Sequence, residues 1–130
     1  MIVNKSKFEN LEAWKAAHKL AIMVYKVTKK FPTDEKFRLI DQLCRASSSV
    51  AANLAEGSAR AYRKEYAQFA YQAKGSLEEA KYHLLLSKDL GYLKDSDYQV
   101  LQEQANLAGK LLSGLIKYLR SNPQDQRSNI

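Results

Sequence analysis

The chain has 130 residues, 45% of them hydrophobic and 27% charged, with five Gly, two Pro, one Cys and a formal net charge of +7. That length holds one hydrophobic core and not two, and so few Gly and Pro exclude both a turn-rich β architecture and a disordered chain. The opening M-I-V-N-K-S-K lacks the apolar run of a secretion signal, and no stretch reaches the roughly 20 apolar residues of a membrane span, so a cytoplasmic protein without membrane contact is expected.

A first helix is predicted from Asn10, a favourable N-cap residue, to about Lys30, where Phe31-Pro32 halts it because proline disfavours α geometry in its predecessor. Trp14, Ala17, Leu20, Ala21, Val24, Tyr25, Thr28 and Phe31 recur at helical spacing on one broad face, the expected core. On the other side Lys15, Lys19, Lys26, Lys29 and Lys30 fall within an arc of about 100°, with only Glu12 near enough to offset them. Up to Phe31 the chain holds seven Lys against Glu9 and Glu12, most of the total charge. Lysines in a row repel one another unless something anionic approaches. The row therefore predicts contact with a phosphate backbone or an acidic partner, the alternative being a solvated face. Leu11 and Ile22 are predicted to project beside the lysines and to mark a contact with another subunit.

In the second helix, capped by Thr33 or Asp34, Leu39, Ile40, Leu43, Ala46, Val50 and Leu54 keep the helical period to about Gly57. Cys44 has no partner for an internal disulfide and reads as a small buried hydrophobe. From Ala46 to Ala59 the sequence is A-S-S-S-V-A-A-N-L-A-E-G-S-A, side chains small enough to let another helix approach closely. No His or Lys stands at a spacing that would activate Ser47, Ser48 or Ser49, so the cluster predicts packing rather than nucleophilic catalysis. Asn53 and Glu56 share a face, and Glu56 precedes Arg60 by one helical turn. A structural polar network of Asn53 and Glu56 is the reading adopted; a surface ion pair of Glu56 with Arg60, worth under about 1 kcal/mol, is the alternative.

A turn over Gly57 to Ala61 leads to a third helix in which Tyr66, Phe69, Ala70, Ala73, Leu77, Ala80, Leu84 and Leu90 form the apolar stripe, stopped by Gly91. Arg63, Lys74, Lys81 and Lys88 make a second basic stripe, partly neutralised by Glu78 and Glu79. The segment Arg60-Ala61-Tyr62-Arg63-Lys64-Glu65-Tyr66 interleaves cations with aromatic rings, a composition that suits phosphates and stacked bases, with Tyr66 read as a core residue. Arg60, Tyr62, Arg63 and Lys64 are accordingly candidate nucleic-acid contacts alongside the lysines of the first helix. The fourth helix is predicted to open on the capping box Ser96 to Gln99 and to bury Leu101, Ala105, Ala108, Leu112, Leu115 and Leu119, widened by Leu111 and Ile116. Residues 1–120 are thus expected to form one antiparallel up-down-up-down four-helix bundle, all-α, with residues 121–130 a flexible tail.

Catalytic and cofactor chemistry finds little purchase here. A di-iron bundle needs inward Glu residues and two Glu-x-x-His motifs, whereas the chain has only His18 and His83, and Glu79 precedes His83 by four residues. Neither His belongs to a zinc-type cluster, and no Gly-rich phosphate loop is present. No enzymatic activity, metal or cofactor is expected.

The opening F-E-N-L-E-A-W-K-A-A, the F-P after the first helix, the stretch S-S-V-A-A-N-L-A-E-G-S-A-R and A-K-G-S-L-E-E-A followed by L-G-Y-L together resemble the four-helix bundle proteins known as 23S rRNA intervening-sequence proteins. The likeness runs from about Phe8 to Leu119. Its most specific element is N-L-A-E-G at Asn53 to Gly57; Ala51 and Ala52 stand where relatives often have Pro-Ala. The resemblance implies four antiparallel helices assembling as a homopentamer, with no established activity and with RNA binding inferred from the location of the genes. The fold is also similar to that of accessory proteins of diversity-generating retroelements, basic pentamers that bind nucleic acid and a reverse transcriptase. The expectation is therefore a basic, oligomeric, non-enzymatic protein that binds RNA or serves a ribonucleoprotein or reverse transcriptase. The alternative is a scaffold ring that recruits a protein partner and has no nucleic-acid role.

Overall fold

The computed structural model describes residues 5–121. They open with a 3-10 turn, Lys7–Asn10, which the Ser6 N–H closes by donating to the Glu9 carboxylate at 2.8 Å. Helix α1 follows over Glu12–Thr28. This corrects the start expected at Asn10: that residue ends the preceding turn, and Leu11, with extended backbone and packed against the core, holds the N-cap position. The helix also stops two residues before Lys30. There the N–H groups of Lys30 and Phe31 reach back only three residues, to Val27 and Thr28, tightening the chain ahead of Pro32. Phe31 is buried, with its ring 5.9 Å from that of Tyr92.

A 3-10 turn, Thr33–Glu35, and one wide π turn, Lys36–Ile40, lead into α2, Asp41–Ser58, with no side-chain cap from Thr33 or Asp34. Helix α3 spans Arg63–Asp89 and α4 spans Asp95–Arg120. Gly91 ends the third helix at φ +83°, a backbone conformation that a residue with a Cβ rarely adopts. Leu90, expected in the core, falls in this turn and is exposed. The capping box expected at Ser96 does not form, because α4 already starts at Asp95 behind Lys94.

Each helix packs on two others: α1 on α2 and α4, α3 on α2 and α4. Cross-helix neighbours occur in opposite chain order. Ser49 meets Ser76 while Gly57 meets Tyr66 and Phe69, and Arg63 meets Tyr118 while Leu77 meets Gly109. Helices α2 and α3, and α3 and α4, are therefore antiparallel. Leu20, Val24, Leu43, Leu54, Leu77, Leu84, Leu112 and Leu119 fill the centre, and burying each such side chain contributes about 1.5–3 kcal/mol.

The small-residue half of α2 lies close against α3 at Gly57. A methyl group on Gly57 would sit 2.8 Å from Phe69 Cβ and 2.9 Å from Tyr66 Cδ1, distances that no real contact tolerates. Tyr25, assigned to the core by spacing, is instead 50% exposed, and Ala13 and Ala16 join the buried stripe. The buried face of α1 centres on Ala17, Leu20 and Val24, which leaves Tyr25 at its margin. No helix of the described residues is long and apolar enough to cross a membrane. Ser121 forms the C-cap of α4, and the rest of the expected tail lies outside the described residues.

Candidate nucleic-acid interface

Helix α1 is flanked on one side by α2, where the Thr28 hydroxyl lies 3.7 Å from Cys44 Sγ, and on the other by α4, where Gln104 donates to the Ala16 carbonyl at 2.9 Å. The remaining face meets solvent, and Lys15, Lys19, Lys26, Lys29 and Lys30 are all exposed on it. Lys15 to Lys29 spans fourteen residues, about 21 Å at helical rise. Lys15 is tied to Glu12 at 2.9 Å. Among the described residues Lys19, Lys26, Lys29 and Lys30 have no carboxylate within 4.0 Å. The stripe is thus physically present and largely unneutralised. Ile22, 44% exposed, lies in its midst as predicted, whereas Leu11 turns inward and packs on the core.

The second candidate cluster does not hold together. Arg60 is exposed, its guanidinium 4.6 Å from the centre of the Phe69 ring and 3.8 Å from Glu56. Tyr62 and Lys64 are also exposed. Arg63, however, is only 7% exposed: it lies across the Tyr118 ring at 4.3 Å and donates to the Tyr118 hydroxyl, with its Nε left unpartnered. Expected at the surface, it is instead a packing residue between α3 and α4. Two further cations of the α3 stripe are engaged, Lys81 with Glu78 at 3.5 Å and Lys88 over Tyr98 at 4.9 Å, while Lys74 is exposed.

Asn53 and Glu56 do not act as one unit. Asn53 Nδ2 donates to the Ser49 carbonyl at 2.9 Å and to its hydroxyl at 3.1 Å, and Ser76 donates to that same hydroxyl at 3.0 Å. The polar network joining α2 to α3 is therefore Asn53, Ser49 and Ser76, while Glu56 faces solvent beside Arg60. One turn on a helix is 3.6 residues, so Ser49, four before Asn53, is as close a neighbour as Glu56.

The titratable groups elsewhere are modestly placed. Burial pushes the Cys44 thiol up, opposed by the Thr28 hydroxyl. His83 lies 3.6 Å from Glu79, and among the described residues no three His, Cys, Asp or Glu side chains gather where a metal ion would sit. What the spacing analysis overlooked is an aromatic stack at the start of α1. The rings of Trp14 and His18 are parallel within 9° at 4.7 Å, and Phe8 meets Trp14 edge-on at 5.0 Å. The signal was available, since two aromatic residues four apart on a helix lie one above the other.

The geometry has counterparts among known proteins. The family model for the 23S rRNA-intervening sequence protein matches residues 9–114. A crystal structure of a protein of unknown function of the S23 ribosomal protein family, from Bacteroides thetaiotaomicron VPI-5482, superposes with a TM-score of 0.75. It is 22% identical, and the match covers 81% of this chain and 98% of that one. No curated protein matches the chain. With four helices in the same arrangement and a family match over most of its length, the chain belongs to the 23S rRNA-intervening sequence protein family.

Proposed function

We propose that this protein is a non-enzymatic RNA-binding module of the cytoplasm, acting as an oligomer in a ribonucleoprotein, with the outer face of α1 as its RNA surface. The observation that carries this reading is the run of exposed lysines without carboxylate partners. Such a row accumulates counterions, and their release on contact with phosphates drives association. A homopentamer, as the family resemblance implies, would repeat the row five times and strengthen its field. Support for self-association comes from the α1/α4 seam, where Val100 and Leu107 are exposed and Met23 and Val27 line a groove with Leu101.

The test is a salt titration of RNA binding by wild type and by the K19E/K26E/K29E variant. Binding that weakens steeply with salt, and a log-log slope shallower by about 2 in the variant, supports the reading. Equal affinity in the variant would show that the surface is misassigned. A pentamer by light scattering that ignores RNA at every salt concentration would favour a protein-recruiting scaffold instead.

A further inference from the structure

We infer that the α1 surface is built for single-stranded RNA, with bases stacking on His18 and Tyr25 while Lys19, Lys26 and Lys29 hold the phosphates. This deepens the RNA-binding reading and rests on it.

Counterion release by lysines does not distinguish one strand from two, because duplex and single strand both present phosphates. Rings do distinguish them. A base inside a duplex has both faces covered by its neighbours, whereas an unpaired base gains a stacking partner from an exposed aromatic side chain. On α1 the rings and the lysines are adjacent: Trp14, His18 and Tyr25 lie within an arc of about 40° along the edge of the lysine stripe, by helical geometry. His18 and Tyr25 are exposed and two turns apart; Lys29 follows Tyr25 by one turn on the same side of the helix, while Lys19 and Lys26 stand about 100° round from the rings that precede them. Rings and cations thus run side by side along the solvent face, the combination that was sought in the Arg60 to Tyr66 segment and is broken there by the burial of Arg63.

His18 is also held in place before any ligand arrives. Its ring lies on Trp14, and Trp14 is braced by the edge of Phe8 and by the core beneath. A ring already fixed loses little freedom when a base settles on it, which favours stacking over the ordering of a mobile side chain.

The experiment compares a single-stranded RNA with a blunt duplex of the same length, at matched salt, on the full chain. Readouts are affinity and the fluorescence of Trp14, the sole tryptophan. The expected result is tighter binding of the single strand, a change in Trp14 emission with it alone, and a loss of about fivefold or more in His18→Ala and Tyr25→Ala without change in salt slope. His18→Phe, which keeps a ring and removes the imidazole, should restore the affinity. Equal binding of strand and duplex, with both alanine variants at wild-type affinity, would overturn the stacking site and leave the electrostatic RNA surface standing. No binding of either RNA at low salt would overturn both. His18 and Tyr25 are exposed, so neither variant should unfold the bundle, and an unchanged circular dichroism melt verifies this.

Discussion

Two helices of this bundle carry basic stripes, and the bundle treats them differently. On α3 three of the four cations are used internally, Arg63 buried on Tyr118, Lys81 reaching Glu78 and Lys88 covering Tyr98, and Lys74 is exposed. On α1, among the described residues, only Lys15 has a carboxylate partner, Glu12, and the others face solvent. A count of basic residues therefore says little about where an anion binds. What matters is the charge left after the protein has satisfied itself, and by that measure α1 is the face proposed to bind RNA, while most of the cations of α3 are spent on contacts within the bundle.

Several measurements would break or sharpen this contrast. The largest effect is expected for charge reversal: K19E/K26E/K29E should weaken RNA binding by more than about a hundredfold, whereas K74E/K81E/K88E on α3 should change it by less than about threefold at the same salt. Comparable losses from the two variants would erase the distinction. Next comes the close approach of α2 to α3. Gly57→Ala should cost about 1–3 kcal/mol in urea unfolding, since Phe69 Cβ and the Tyr66 ring cannot both withdraw from a well-packed core.

Arg63→Ala should destabilise by a similar or somewhat smaller amount, about 1–2 kcal/mol, through lost packing on Tyr118, with RNA affinity unchanged. A variant that folds as well as wild type but loses RNA would return Arg63 to the binding surface. The smallest effect at neutral pH concerns Tyr66, whose buried hydroxyl has no partner among the described residues and whose pKa burial pushes up to about 12. The unfolded chain ionises this phenol near its ordinary value of about 10 while the folded chain keeps it protonated. The unfolded state then binds fewer protons, so stability is full below about pH 10 and falls as pH rises toward 12. Tyr66→Phe should be close to neutral at pH 7 and should flatten that alkaline decline; an unchanged alkaline limb would show that other groups cause it.

Much of the fold was legible because Leu and Ala recur with helical period and because Gly91 and Phe31-Pro32 mark two ends. The lysine face was legible for the same reason, since spacing alone puts Lys19, Lys26 and Lys29 together. The helix starts were less so. Asn10 and Ser96 are good caps by type, yet the chain caps at Leu11 and Lys94, where packing and the preceding turn outweigh a side-chain hydrogen bond of about 1 kcal/mol. Arg63 was misread because its partner, Tyr118, is 55 residues away. Asn53 was assigned to Glu56, one turn ahead, when its partner is Ser49, one turn behind, whose hydroxyl also accepts from Ser76 across the helix pair.

By itself the sequence determined four amphipathic helices, a small-residue seam on the second and an excess of positive charge on the first. These follow from residue type and the fixed geometry of the helix, which act within a few turns. Only the tertiary structure decided which cations remain free, which polar groups meet across α2 and α3, and that Phe8 and the core brace Trp14 beside the lysines. Each of these depends on side chains from different turns or different helices arriving within hydrogen-bonding or stacking distance, and no local spacing rule specifies that encounter.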